Sequence, residues 1–237
     1  MELIIMEREM VKIDADGQSV RELNTRLRQM VADGCEVVIE NPRSRHNLGV
    51  ALPVGGKVCF EGSVGYYCGG LNNGAIIEVT HNAGWGVGEG MAAGFIRVRG
   101  QTGQSTGASL RGGTIVVEGN AGARTGVAQK GGVVVVGGNV GFLSGFMAQA
   151  GKLIVLGDAA DGIGDSLYQG NIYVAGQIHG LGLDAVIVEP ARSEIDEIEA
   201  IVAEAGFGLS LRFWKKVVSG QKLWYFDKRE ADTWLKV

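Results

Sequence analysis

Residues 113–131 read GTIVVEGNAGARTGVAQKG, and residues 132–150 read GVVVVGGNVGFLSGFMAQA. Laid one above the other, the two lines share glycine at places zero, six, nine and thirteen. Going outward, place zero falls on Gly56, Ala75, Gly94, Gly113, Gly132, Gly151 and Gly170, always 19 residues apart with no insertion or deletion. Place six falls on Gly62, His81, Gly100, Gly119, Gly138, Gly157 and Gly176, and place nine on Gly65, Gly84, Gly103, Gly122 and Gly141. Place thirteen falls on Gly69, Gly88, Gly107, Gly126, Gly145 and Gly164. The lattice takes 23 of the 40 glycines, so they form a repeat and are not scattered loop residues.

Places two and four of each unit are apolar, from Val58/Phe60, Ile77/Val79 and Ile96/Val98 through Ile115/Val117 and Val134/Val136 to Leu153/Val155 and Ile172/Val174. Period-two spacing predicts one short strand per unit with one face buried. The neighbour available to each strand is the same strand one unit later. Stacking in parallel at about 4.8 Å gives a coil wound around its own apolar interior. Helical repeats run to roughly 33–47 residues, too long for this period. A flexible glycine-rich linker would lack phased Val and Ile. A left-handed hexapeptide helix calls for a multiple of six, which 19 is not. The expected fold is therefore mainly β, a right-handed parallel β-helix of about seven 19-residue coils, on the order of 30–35 Å long.

Three segments follow. Residues 1–55 read as an N-terminal α/β cap, with a strand at Val11–Ile13 and a capping box at Ser19-Val20-Arg21-Glu22 opening a helix. That helix's apolar face is Val20, Leu23, Leu27, Met30 and Val31, and a second strand follows at Glu36–Ile39. Residues 56–189 form the β-helix, ending in a last strand at Val186–Val188. Residues 190–237 begin with a helix expected to open at Ser193-x-x-Asp196, with Ile195, Ile198, Ile201, Val202 and Ala205 on one face and Gly206 at its end. A basic, aromatic tail completes the chain. Its Trp214, Trp224, Tyr225, Phe226 and Trp234 suit a partner interface, or a tail folded over the rod's own open end.

Composition narrows the function. The net charge is −4 with no run of like charge, which disfavours nucleic acid and polybasic membrane binding. No apolar run is long enough to span a bilayer, and MELIIMEREM has no basic leader, so a cytoplasmic location is expected. Cys35, Cys59 and Cys68 lack CxxC spacing and read as reduced thiols. His46, His81 and His179 lie far apart, and no metal site is expected. The phosphate-loop pattern GxxxxGK[ST] is absent, and no Gly-x-Gly pair opens a helix after a strand. Asp158, Asp161, Asp165 and Asp184 form the one acidic concentration. Paired carboxylates on a β-helix are the pattern of sugar-cleaving enzymes, but here Asp158, Asp161 and Asp165 fall within one turn, where such residues are common for conformational reasons.

The stretches GGTIVVEGNAGARTGVAQKGG, GGNVGFLSG and GDAADGIGDSLYQGNIYVAGQI resemble the GXGXG domain that closes glutamate synthase large subunits, a match over about residues 40–185. Asn41-Pro42-Arg43-Ser44-Arg45-His46-Asn47-Leu48-Gly49-Val50-Ala51-Leu52 looks like that domain's opening segment. With the tail SGQKLWYFDKRE, it is nearer to the free-standing form, the domain-3-like middle subunit of N-methylglutamate synthase. The resemblance implies a non-catalytic structural subunit with no cofactor, metal or catalytic residue of its own. Its implied partners are a class II glutaminase-type subunit and a synthase subunit holding FMN and iron–sulfur clusters, which together make N-methylglutamate from glutamate and methylamine. A component of formylmethanofuran dehydrogenase shares the motif and is the alternative. A second alternative is an independent carbohydrate-active β-helix using Asp158, Asp161 and Asp165.

Overall fold

A computed structural model describes residues 10–208 and 212–223. The elements are β1 (Met10–Asp14), α1 (Val20–Ala32), β2 (Glu36–Glu40), β3 (Lys57–Glu61), β4 (Asn73–Val79), β5 (Ala93–Val98) and β6 (Thr114–Val117). After them come β7 (Lys130–Val136), β8 (Ala150–Val155), β9 (Asn171–Val174), β10 (Ala185–Val188), α2 (Arg192–Glu204) and β11 (Lys215–Ser219). All the strands join one sheet in the order β1-β2-β3-β4-β5-β6-β7-β8-β9-β11-β10.

From β3 to β9 each strand pairs in parallel with the next, and the core positions keep one register: Val58 with Ile77, Ile77 with Ile96, Ile96 with Ile115, Ile115 with Val134, Val134 with Leu153, and Leu153 with Ile172; it shifts only at the starts of β4 and β7, between Asn73 and Ile76 and between Lys130 and Val133. This is the parallel β-helix of about seven turns that the spacing predicts. Every residue expected inside at places two and four is buried. Place eight adds a second ladder across the core, a parallel bridge running Val64, Ala83, Thr102, Ala121, Val140, Ala159 and Ile178.

Between place nine and the next strand, the coil is held by a ladder of turns. Places eleven, thirteen and fifteen all take positive φ, as at Ser105 (59°), Gly107 (66°) and Ser109 (52°), or Leu143 (57°), Gly145 (72°) and Met147 (54°). Each left-handed residue reverses the peptide direction, so neighbouring N–H groups point alternately to the coil above and the coil below. Ser105 N–H donates forward to Ala123 O (2.9 Å), Gly107 N–H back to Val87 O (2.8 Å), and Ser109 N–H forward to Val127 O (2.8 Å). Place thirteen differs from the other two in what lies around it. A Cβ on Gly107 would stand 2.8 Å from Val134 Cγ2, and one on Gly69 would stand 2.7 Å from Ile96 Cδ1, both in the core. Side chains at places eleven and fifteen lie clear of that core. Only glycine fits place thirteen, while Tyr67, Arg124 and Leu143 are carried at place eleven.

The winding begins earlier than Gly56. Asn47 (58°), Gly49 (66°) and Ala51 (54°) repeat the left-handed triplet, and Asn47 N–H and Ala51 N–H donate to Tyr66 O (2.7 Å) and Gly70 O (2.8 Å) of the next coil. The segment after β2 is thus a coil of the same kind, offset by 20 residues at Gly49 to Gly69, which hides it from a strict 19-residue search. Before it, β1–α1–β2 is a parallel βαβ unit whose strands lengthen the same sheet. The capping box is formed: Ser19 Oγ accepts the Glu22 N–H (3.2 Å), and Glu22 Oε2 accepts the Ser19 N–H (3.1 Å). Leu23, Leu27 and Val31 of α1 bury in one core with Leu48, Leu52 and Phe60, closing the first end of the rod. Asn24 fastens the helix there, donating to Asn47 O (2.7 Å) and accepting the Gly49 N–H (2.8 Å).

The other end corrects two expectations. The strand at Val186–Val188 does not stack on β9. β11, from the tail, lies between them and is antiparallel to both, with Val217 opposite Ile172 on one side and Ile187 on the other. The second helix opens at Arg192 after Ala191, not at Ser193. Alanine has no capping oxygen, so the reciprocal bond carries the start, with Ala191 N–H donating to Glu194 Oε2 (2.9 Å). Ile198, Val202 and Ala205 of α2 bury as expected, with Ile195 and Ile201 packed beside them. They lie against the outside of the sheet, on Val116, Val135, Ile154 and Tyr173.

Two outcomes follow from this packing. Gly107→Ala combines left-handed strain of about 1–2 kcal/mol with core overpacking of about 1–3 kcal/mol, and should lower the thermal midpoint sharply. Ser105→Gly, two places earlier, trades strain against chain entropy and should stay within about 1 kcal/mol of the parent. Glu194 also accepts from Lys216 Nζ (2.6 Å) and Tyr173 Oη (3.1 Å), and those partners hold its carboxyl below the ordinary value. A lowered carboxyl stabilises the fold above its unfolded pKa of about 4.3, and that stability is lost as the pH falls through the lowered value. Denaturation curves of Glu194→Gln should lose this acid-side dependence.

Candidate functional site

The carboxylates of the acidic turn are engaged in backbone bonds. Place seven carries an oxygen that accepts the N–H of place seven in the next coil: Asn82 from Gln101 (2.9 Å), Asn120 from Asn139 (2.8 Å), Asn139 from Asp158 (2.8 Å), and Asp158 from Gln177 (2.7 Å). Asp158 therefore continues an amide ladder. Asp161 Oδ1 accepts the Gly162 N–H (3.0 Å), while Asp165 accepts the Leu183 N–H (3.0 Å) and the Ser166 hydroxyl (2.7 Å). Asp184 accepts the Ser219 hydroxyl (3.0 Å) and the Lys222 N–H (3.1 Å), tying the tail to the rod. Each of these carboxylates gives at least one lone pair to an N–H of the fold itself, which accounts for its place in the turn.

The other reactive residue types are equally dispersed. Among the described residues no three of His, Cys, Asp or Glu converge as metal ligands. The three cysteines are free thiols. Cys68 lies inside the rod, where burial pushes its thiol up to about 12, and burial raises Cys59 as well, so neither forms thiolate readily at neutral pH. His81 Nδ1 meets the Thr80 hydroxyl (2.9 Å), and His179 is exposed on the far coil.

What distinguishes one part of the rod from another is its outer surface. On the sheet side, place three reads Cys59, Glu78, Arg97, Val116, Val135, Ile154 and Tyr173 along the coils. The last four are apolar and lie beneath α2. The first three lie outside that cover, where charges bridge successive strands: Lys57 to Glu78 (3.3 Å), Glu78 to Arg99 (2.9 Å), Arg99 to Glu118 (2.7 Å) and Glu118 to Arg97 (2.9 Å). Partial burial works against the charge on Glu78, but hydrogen bonds from Arg99 and Lys57 outweigh it and hold the carboxyl below its ordinary value.

On the turn side, place ten forms a column of rings. His46 stacks on Tyr66 with centroids 4.3 Å apart and planes 15° from parallel, and Tyr66 stacks on Trp85 at 5.1 Å and 16°. The spacing is that of the coils themselves. Tyr66 N–H donates to His46 Nδ1 (2.9 Å), which places the proton of the neutral imidazole on Nε2. Half of Trp85 (49%) and of Tyr66 (46%) is open to solvent, as is Phe142 (51%) further along the same column. Tyr66, Trp85 and Phe142 share one place in the repeat, a spacing visible in the sequence but masked by Gln104 and Ala123 at the same place between them.

Of the aromatic residues expected at a partner interface, Trp214 packs inside the chain. It is 7% exposed against α2, and its indole N–H donates to Glu199 Oε1 (2.7 Å). Its neighbour Phe213 is the exposed ring, at 88%. Trp224, Tyr225, Phe226 and Trp234 lie outside the described residues.

No family model matches the chain. Among solved structures, it superposes on a chain of the formyltransferase/hydrolase complex (FhcABCD) from Methylorubrum extorquens in complex with methylofuran, with a TM-score of 0.61 over 83% of this chain and 68% of that one. Identity there is 20%, a likeness of fold. Among curated proteins, Protein GlxC of Rhizobium meliloti (strain 1021) is 44% identical over 225 residues, covering 94% of this chain and 99% of its own length. With near-complete coverage in both directions, the chain belongs to the GlxC family.

Proposed function

We propose that this chain is a structural subunit of a multi-subunit, glutamate synthase-like complex. It holds a class II glutaminase-type subunit and an FMN- and iron–sulfur-containing synthase subunit in register, most specifically for N-methylglutamate formation from glutamate and methylamine. The observation that carries the reading is the continuous parallel pairing from β3 to β9, each coil hydrogen-bonded to the next. Such a rod resists the bending that a linker allows, and a channelled amine or ammonia needs two active sites at a fixed separation. The chain's place in a family with Protein GlxC is compatible with this role, and the bonded state of Asp158, Asp161 and Asp165 favours it over sugar cleavage. FMN and the clusters belong to the partner in this reading.

A second reading has its own support. The likeness of fold to a chain of a formyltransferase/hydrolase complex fits a component of the formylmethanofuran dehydrogenase kind, whose partners would be molybdenum or tungsten proteins instead of flavin ones.

Purification of the tagged full chain from its own cells should bring down a yellow-brown complex with flavin and iron–sulfur absorbance that consumes methylamine or ammonia. A colourless chain eluting alone would overturn the proposal. Deletion of residues 113–131, one whole unit, should leave a folded rod about 4.8 Å shorter. Turnover by the assembled complex should then fall about tenfold or more, since misplacement of reacting groups by ångströms costs orders of magnitude.

A further inference from the structure

The two ends of the rod are finished differently. At the first end α1 buries Leu23, Leu27 and Val31 and turns Arg21, Glu22, Thr25, Arg26 and Gln29 to solvent. Terminal units of a stacked repeat need such a polar outer face, because no further unit covers them. The last coil has no counterpart among the described residues. Its exposed side chains are Leu181, Leu183 (62%), Ile187 (47%) and Val188, all apolar and within eight residues of one another. Ile187 and Val188 are consecutive in β10 and point to opposite faces of the strand, so both faces of its far half are open. β10 is also the outermost strand of the sheet and, among the described residues, pairs with β11 alone, which leaves one edge of its backbone unpaired. An apolar edge strand is a template for association, and folded proteins blunt or cover it.

Where the chain goes next points to the cover. After β11 it wraps round Asp184, the residue immediately before β10. Asp184 O accepts the Gly220 N–H (2.6 Å), and its carboxylate accepts the Ser219 hydroxyl (3.0 Å) and the N–H groups of Lys222 (3.1 Å) and Leu223 (3.5 Å). The wrap is close, since a Cβ on Gly220 would stand 2.8 Å from Asp184 Oδ1. It carries the chain from β11, which lies between β9 and β10, to the head of β10 itself. There Leu223, itself partly exposed, is bonded to the residue that follows Leu183. Fourteen residues remain beyond Leu223, and they begin Trp224-Tyr225-Phe226. Three aromatic residues in succession therefore leave the clamp at the uncovered edge, with no linker between. A segment tethered so near its site meets it at an effective concentration of about millimolar. The site is uncharged and apolar, and so are the bodies of these three side chains.

We infer that residues 224–237 bind the last coil of their own chain, with Trp224, Tyr225 and Phe226 covering Leu183, Ile187 and Val188 and closing the second end of the rod. The inference does not rest on the scaffold reading. It goes beyond it by assigning these aromatic residues to the chain itself, so that the end of the rod cannot pair edge to edge with a second copy and its sides are left for partner subunits.

Amide hydrogen exchange of the free full chain tests this. Residues 181–188 should be protected in the parent. Trp224→Ser with Phe226→Ser should speed their exchange about tenfold or more, while residues 133–136 in the middle of the rod exchange as before and so report an intact fold. Asp184→Gly keeps the left-handed backbone there (φ 63°) and removes the clamping carboxylate, and it should speed the same amides. Trp224→Phe should restore most of the protection to the serine pair's partner position. In light scattering the serine variant should self-associate at concentrations where the parent stays monomeric. Exchange of residues 181–188 that is indifferent to the serine substitutions overturns the inference. If their protection is instead lost on dilution of the parent, a second copy is the cover. If it appears only in the natively purified complex, a partner subunit is the cover, and the scaffold reading stands without this one. A chain that shows the tail-dependent protection and assembles with nothing supports this inference and overturns the scaffold reading.

Discussion

Each coil must return to its starting height with its peptide groups paired to the coils on either side. Strand segments do this by ordinary parallel pairing. The turn segment does it through the left-handed triplet, which points successive N–H groups alternately up and down. A glycine at the middle of that triplet is required by its backbone angle in every coil, and at Gly69, Gly88, Gly107 and Gly145 also by the isoleucine or valine side chain lying where its Cβ would be. From this follow the fixed period, the straight inner columns and the stiffness on which a scaffold role depends. Places outside the core are released from the constraint, and there the coils diverge.

That division lets one backbone carry two unlike surfaces. On the sheet side, charged bridges over the first coils give way to an apolar strip on which α2 lies. On the turn side, rings spaced like the coils stack at one end, and an isolated, half-exposed Phe142 stands further along the same column. Asparagine and aspartate at place seven show the opposite case, where an outward residue serves the rod itself by passing an oxygen to the next N–H.

The interior is legible in the sequence because place and burial correspond one to one: the spacing puts Val58 through Val174 inside, and they are inside. The first coil is not, because its single extra residue moves Gly49 off the lattice. Nor is β11, because Lys215–Ser219 has no local strand signal and owes its pairing to the open edge of β9, far back in the chain. Ser193 has the look of a helix cap because serine usually is one, yet Glu194 bonding back to Ala191 decides the start. The apolar strip at Val116, Val135, Ile154 and Tyr173 is readable in principle as the landing site of α2. The turn-side surface is not, since neither Arg124 nor Phe142 announces by itself that it lies beside the other.

The insertion of β11 between β9 and β10 also bears on biosynthesis. The strands from β2 to β8 pair only with neighbours in sequence order, so they can wind as the polypeptide leaves the ribosome. β9 cannot receive its outer neighbour until translation has passed Lys215, and β10, though made earlier, must wait for the same strand before it joins the sheet. A nascent chain therefore holds a nearly finished rod with one sticky edge for the whole time that α2 is being made. The N-terminal end is closed early by α1, so the period of greatest risk of misassociation falls late, at the C-terminal end.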